Sequence, residues 1–243
     1  MQIIKVKNYQ EMSNKAAEYI IQKVVQFPNC NLGLATGGTP IGTYQNLIED
    51  HQKNGTSYRD VTTFNLDEYI GLAASNKNSY HYFMNDQLFK HIDINPERTF
   101  IPRGDAADIQ KECLRYEECI ERHGGIDLQL LGIGSNGHIG FNEPGASFES
   151  NTHVVNLTQS TINANSRFFA NKDEVPTKAI TMGIATIMKS KEILLLASGS
   201  KKSEALFKLL NLEVNEGFPA SILQKHPSVT IIADEEALSR VKI

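Results

Sequence analysis

Residues 132 to 145 read GIGSNGHIGFNEPG, a stretch in which five glycines surround one His, one Glu and two Asn. Imidazole is the side chain best suited to take and return protons near neutral pH. Glycines on both sides let the backbone fold tightly enough to push His138 into a cleft. Glu143 follows five residues later, far enough for the loop to return and hydrogen-bond the imidazole. A carboxylate in that place fixes the tautomer and raises the basicity of the ring. A second proton-transfer candidate is NLDEY, where Asp67 and Glu68 directly follow a strand-like apolar run. Only one of two such neighbours points into a single cleft, and Asp67, the first past the strand, is expected to be the general base.

Two further stretches hold features that bind anions. In TGGTP, Thr39 suits a helix N-cap and Pro40 the first helical position, where its missing N–H is no loss. Gly37 and Gly38 let the backbone come close to a ligand, and the exposed N–H groups with the helix dipole favour a phosphate. The GxxxxGK[ST] spacing of a Walker loop is absent. SGSKK, residues 198–202, opens another helix with a lysine able to reach inward. Arg167, in ANSRFF, is an isolated cation near the end of a helical pattern.

Gly132, Gly134 and Gly137 also match G-x-G-x-x-G after a strand pattern, which by itself suggests a dinucleotide site. The continuation excludes it. A helix should begin there, but Gly140, Pro144 and Gly145 forbid a regular one. No clear second strand ends in an acid about 20 residues on.

The elements that must position these residues alternate along the whole chain. Apolar runs at 31–36, 61–66, 126–131, 193–197 and 229–233 are short and continuous, as strands buried on both faces are. Residues 99–102 and 153–157 are weaker strand patterns. Helical periodicity marks 11–27, 40–52, 79–91, 106–123, 158–169, 181–189 and 201–210; in the first, Ala16, Ala17, Ile20, Ile21, Val24 and Val25 form one stripe. The expected fold is therefore α/β: a single-domain open, mostly parallel sheet over residues 1–243 with helices on both faces, Rossmann-like in type. Residues 158–180 are expected to form a lid. In such sheets ligands bind beyond the carboxyl ends of the strands. All four chemically unusual loops, 37–40, 67–69, 132–145 and 198–202, fall there, which points to one site.

Bulk properties agree. The 243 residues suffice for one large domain, with 40% hydrophobic and 21% charged residues. A formal net charge of -4 and no basic block beyond Lys201-Lys202 argue against nucleic acid. Cys30, Cys113 and Cys119 form no CxxC pair and read as reduced thiols of a cytoplasmic protein rather than a disulfide framework or zinc site. There is no signal-peptide pattern, and the longest aliphatic run is too short to span a bilayer.

Taken together, LGLATGGTP, TFNLDEY, LLGIGSNGHIGFNEPG, ANSRFF and AITMGIATI closely resemble the motifs of the glucosamine-6-phosphate deaminase (isomerase) family, in the family's order and over nearly the whole chain. The resemblance implies reversible conversion of D-glucosamine 6-phosphate and water to D-fructose 6-phosphate and ammonia, in amino-sugar catabolism, with no metal or organic cofactor. It implies that His138 shuttles a proton in opening the sugar ring, with Asn136 and Glu143 holding and polarising it. Asp67 would move the C2 proton to C1, and Gly37, Gly38, Thr39, Arg167 and Lys202 would bind the phosphate. The implied partner is a small-molecule substrate alone, for a monomer or small homo-oligomer.

Two positions depart from the family pattern. Many members have Asp where this chain has Asn136; the amide can orient the imidazole but adds no negative charge, so Glu143 would carry more of that work. Longer members carry an allosteric site built partly from basic residues just after the Glu segment. Here GASFESNTHVVN offers only His153, and a non-allosteric enzyme is expected. The nearest alternatives are a related sugar-phosphate enzyme such as a 6-phosphogluconolactonase, which has similar TGGTP and G-x-G-x-x-G-H pieces, and a non-catalytic sugar-phosphate sensor. Retention of Asp67 together with His138 and Glu143 favours turnover.

Overall fold

The layering follows from side-chain alternation in strands without a polar face. In Glu192–Ala197, Ile193, Leu195 and Ala197 enter one apolar core, and Leu194 and Leu196 enter another on the opposite side. The strand Val229–Asp234 divides likewise, Ile231 and Ala233 from Ile232. Strands buried on both faces need helices on both faces. The computed structural model describes residues 1–242 except Arg167, Phe168, Ala170, Lys172 and Asp173, with backbone alone at Ser160, Ala164 and Asn165.

The central sheet has seven strands, all paired in parallel. In chain order they are β1 (Gln2–Val6), β2 (Asn31–Leu34), β3 (Thr62–Asn65), β5 (Thr99–Phe100), β6 (Leu128–Gly132), β9 (Glu192–Ala197) and β10 (Val229–Asp234). Their spatial order is β1-β10-β9-β6-β2-β3-β5. The chain runs outward from β2 through β3 to β5, then returns to lay β6 on the other side of β2. That reversal opens a crevice between the carboxyl ends of β2 and β6.

Helices α1 (Tyr9–Gln26), α2 (Ile41–Asn54) and α3 (Tyr80–Gln87) cover one face through Met12, Tyr44, Leu47 and Met84. On the other face lie α4 (Ile109–Arg122), α6 (Ile184–Met188) and α7 (Ser203–Asn211), through Tyr116, Ile187 and Leu206. A second sheet is antiparallel and has the order β4-β8-β7: β4 (Asp67–Tyr69), β8 (Lys178–Thr181) and β7 (His153–Asn156). The short helix α5 (Gln159–Asn165) lies beside it, with Ile162 packed against the cluster of Tyr69, Phe141 and Leu157.

The five main strand patterns and the α/β class hold. The pattern at 153–157 belongs to the second sheet, not the central one. Helix 181–189 shortens to α6, because Thr181 is paired in β8 opposite Asp67 and Gly183 passes against another backbone. A Cβ on Gly183 would lie 2.1 Å from the Ser150 carbonyl oxygen. Strands β1, β4 and β8 were not expected from the pattern. Pro40 rather than Thr39 is the cap residue of α2, with no side-chain capping bond. Asp108 sets the start of α4, accepting from Lys111 N at 3.0 Å, so the expected start at 106 moves inward.

Candidate active site

The loops after β2, β3, β6 and β9 enclose a cavity of about 350 Å³. Its walls include Gly37, Gly38, Thr39, Asp67, His138 and Lys202, all expected from the sequence, together with Tyr80, Phe141 and Thr161, which were not. Arg167 lies outside the described residues. The loop after β2 turns at Gly37, where φ is +94°. Tyr9 ties this loop down from α1: its hydroxyl donates to the Gly38 carbonyl at 3.1 Å and accepts from Gly42 N at 2.9 Å. Nothing in the local sequence around Tyr9 announces that role.

Asp67 begins β4, one residue beyond Leu66, whose N–H bonds to the Leu34 carbonyl. Its side chain lines the cavity yet is only 6% exposed. Burial, and then the charge of Glu68, push its carboxyl up to about 8. The extended backbone of β4 sends the next side chain the other way. Glu68 is fully buried and accepts from Tyr80 N at 3.0 Å and His81 N at 3.1 Å at the start of α3. The two carboxylates of DEY thus face different surroundings, with Asp67 in the cavity.

The 133–145 loop builds a relay. Asn136 Nδ2 donates to Glu143 Oε2 at 2.6 Å. Its Oδ1 meets His138 Nδ1 at 2.8 Å. A carboxylate accepts only, so it fixes which way the amide points; Oδ1 then faces the ring and requires the proton on Nδ1. Nε2 is left as the acceptor. Glu143 Oε2 is 3.6 Å from His138 Nδ1, so the expected direct Glu143–imidazole hydrogen bond is replaced by one that passes through Asn136. The reason is the reach of the loop: Asn136 is two residues from the ring and fills the gap first.

The glycines have distinct jobs here. A Cβ on Gly134 would lie 2.3 Å from the His138 ring, so only glycine lets the ring lie against the strand exit. Gly137 has φ +87° and packs under Phe218, where a Cβ would come within 2.3 Å. Thr161 of α5 donates to Glu143 Oε1 at 2.8 Å. Burial pushes the Glu143 carboxyl up, but the nearby His138 ring, the Thr161 hydroxyl and the Asn136 amide outweigh it and bring it to about 2.

Lys202 closes the cavity from the loop after β9. Its Nζ donates to the Ile133 carbonyl at 2.6 Å, and burial lowers its pKa. Asp234 anchors that loop, accepting from Ser198 Oγ at 2.5 Å and Gly199 N at 3.0 Å. Tyr80 reaches over the opposite wall; its ring stacks on Phe141 at 6.2 Å and its hydroxyl lies 3.2 Å from that of Tyr69. Among the described residues no three His, Cys, Asp or Glu side chains are grouped to hold a metal ion, and no helix is long and apolar enough to cross a membrane.

A backbone nest, a lysine, a carboxyl and a carboxylate-backed imidazole around one cavity are the equipment of a sugar-phosphate enzyme that works by proton transfer. The family model described as glucosamine-6-phosphate isomerases/6-phosphogluconolactonase matches residues 7–232. The chain belongs to this family. Within the glucosamine-6-phosphate isomerase/6-phosphogluconolactonase family, it is 59% identical to a glucosamine-6-phosphate deaminase of Halalkalibacterium halodurans, over 100% of this chain and 99% of that one. It is 53% identical to glucosamine-6-phosphate deaminase 1 of Bacillus subtilis, covering 98% and 99% of the two. A solved monomeric glucosamine-6-phosphate deaminase superposes with a TM-score of 0.97 at 52% identity, covering 99% of this chain and 100% of that one. A 6-phosphogluconolactonase of Trypanosoma cruzi, with TM-score 0.81 at 21% identity over 100% and 97% of the chains, shares the fold.

Proposed function

We propose that this family member is a glucosamine-6-phosphate deaminase, converting D-glucosamine 6-phosphate and water to D-fructose 6-phosphate and ammonia. Full-length identity of 53–59% to deaminases supports the activity. The observation that carries the chemical reading is the pairing of Asp67 and His138 on one cavity wall system with the 37–39 loop and Lys202. The phosphate would sit against Gly37, Gly38, Thr39 and Lys202, displacing the Lys202 contact to Ile133. Binding energy from that remote group positions the reacting end of the sugar.

His138 would take the proton of the O1 hydroxyl on Nε2 and pass it to the ring oxygen O5, opening the pyranose. Asn136 and Glu143 stabilise the imidazolium that forms in between. Asp67, ionised, would then remove the C2 proton of the open chain while the proton of the substrate's cationic amine passes to O1, giving an enolamine. Return of the proton from Asp67 to C1 leaves an iminium at C2. Water adds to C2, ammonia departs and the carbonyl of the ketose remains. α5, through Thr161, is the part of the expected cover that reaches the cavity.

A coupled ammonia-release assay on glucosamine 6-phosphate tests this, with Asp67→Asn beside wild type. Wild type should release one ammonia per sugar consumed, with hyperbolic kinetics indifferent to N-acetylglucosamine 6-phosphate. The variant should lose about 10²- to 10⁴-fold in kcat and keep its affinity for the phosphate. Unchanged turnover in the variant would refute Asp67 as base. Absence of ammonia from wild type would return the lactonase reading.

A further inference from the structure

Among the buried carboxylates that the mechanism leaves unused, one is the immediate neighbour of the proposed base. Glu68 is 0% exposed and stands directly beside Asp67 in the chain. Four donors satisfy it: Oε1 accepts from Tyr69 N at 2.8 Å and Tyr80 N at 3.0 Å, and Oε2 from His81 N at 3.1 Å with His81 Nδ1 at 2.9 Å. The N-terminus of α3 already has an ordinary cap, since Ser79 accepts from Tyr82 N at 3.0 Å. Glu68 takes the two amides ahead of that one, those of Tyr80 and His81, and so pins the first turn of α3 to β4.

We propose that Glu68 is a positioning residue for proton transfer at Asp67: through the amides of Tyr80 and His81 it holds Tyr80 at the cavity wall, and its own buried carboxylate, bonded to the His81 ring, stands next to Asp67 in the chain. This rests on the proposed function for its kinetic consequence, though not for its geometry. Tyr80 has no freedom to leave while its amide is bound to Glu68, its ring is 4.8 Å from that of Tyr69 and it stacks on Phe141. The Glu68 charge is a like charge for Asp67, and among the causes that push Asp67 up to about 8 it follows burial.

The groups facing Glu68 are few. On its own strand there is Asp67, and on α3 there are Tyr80 and His81. From the segment after β5, Gly104 packs against it by backbone alone; a Cβ there would lie 3.1 Å from Glu68 Cγ. The flanking Arg103 and Asp105 are paired with each other at 3.7 Å and face solvent. The outer side of His81 borders a groove with Tyr82 and Lys90, and Lys90 is held by Asp86 at 2.5 Å. His81 is therefore the side chain bonded to Glu68 that solvent can reach, at 28% side-chain exposure.

The test measures kcat and KM against pH for wild type, Glu68→Gln, His81→Leu and His81→Gln, together with a carbon NMR titration of the Asp67 carboxyl in the free protein. Glu68→Gln should lower the acid-side midpoint of kcat/KM, and the Asp67 titration midpoint, by about one pH unit as the like charge disappears. His81→Leu should move both upward by a smaller amount, and His81→Gln, which keeps a donor, should restore them. The partly exposed His81 site keeps the test alive if Glu68→Gln does not fold. Midpoints that stay fixed while kcat falls equally at every pH would overturn the proposal and leave Glu68 a structural cap. Because the NMR titration needs no substrate, a wild type without ammonia release would defeat the proposed function and still leave this inference to be judged.

Discussion

Two carboxyl groups of one site, Asp67 in the cavity wall and Glu143 behind the His138 ring, have opposite electrostatic fates. Asp67, on the wall made by β4 and α3, is pushed up to about 8 by burial and by Glu68. Glu143, in the glycine-rich loop after β6, is brought to about 2 because the nearby His138 ring and donors from Thr161 and Asn136 overcome its burial. The β4 wall is a paired strand with its neighbour carboxylate sealed inside. The other wall is a loop whose imidazole remains one-third exposed. Environments that push two carboxyls apart divide the labour: one holds a proton loosely enough to exchange it, and the other stays charged to support an imidazolium. A substrate arriving with a cationic amine would favour the ionised form of Asp67.

The comparison can be broken most severely at the loop. Gly134→Ala inserts a Cβ where the His138 ring lies, and kcat is expected to fall about 100-fold by misplacing the acid/base group, with KM and thermal midpoint little changed. Steady-state kinetics beside a thermal melt would decide it; a wild-type kcat would mean the ring is not used where it stands. Asn136→Asp is the next largest change. It replaces the amide that donates to Glu143 with a second carboxylate, so the pair should share a proton and the pH–rate profile should shift by about one unit. A profile that superimposes on wild type would remove Asn136 from the relay.

The smallest effect sharpens the contrast through stability. Asp67 ionises near 3.8 when unfolded but about 8 when folded, so its contribution is complete below about 4 and is lost as pH rises toward 8. Glu143 moves from 4.5 to about 2, so its contribution is present above 4.5 and is lost as pH falls toward 2. Urea midpoints across pH should therefore show Asp67→Asn gaining on wild type between pH 4 and 8. Glu143→Gln should lose to wild type at neutral pH and approach it near pH 2. Parallel curves for all three proteins would show that neither carboxyl is perturbed.

Much of this was legible before folding. Continuous apolar runs announced the central strands because strands buried on both faces carry no polar alternation, and their ends located the chemistry. Asp67 could be preferred over Glu68 because neighbours on an extended chain diverge. Of the small antiparallel sheet only β7 was legible: a three-residue strand and a strand running straight into α6 carry too little periodicity. Thr161 and Tyr80 had no local signal, since each reaches the cavity from an element that meets it only after the chain has folded back. Tyr9 acts on a loop 29 residues away through a single hydroxyl.

The sequence by itself determined the α/β class, the loops that line the cavity, and the residue types proposed to move protons and bind phosphate, because these depend on local periodicity and on side-chain chemistry. Only the tertiary structure decided that Asn136 stands between His138 and Glu143, that Glu68 turns inward to hold α3, and that Asp67 is a weak acid while Glu143 is a strong one. Those outcomes depend on burial, and on which donors arrive from distant parts of the chain.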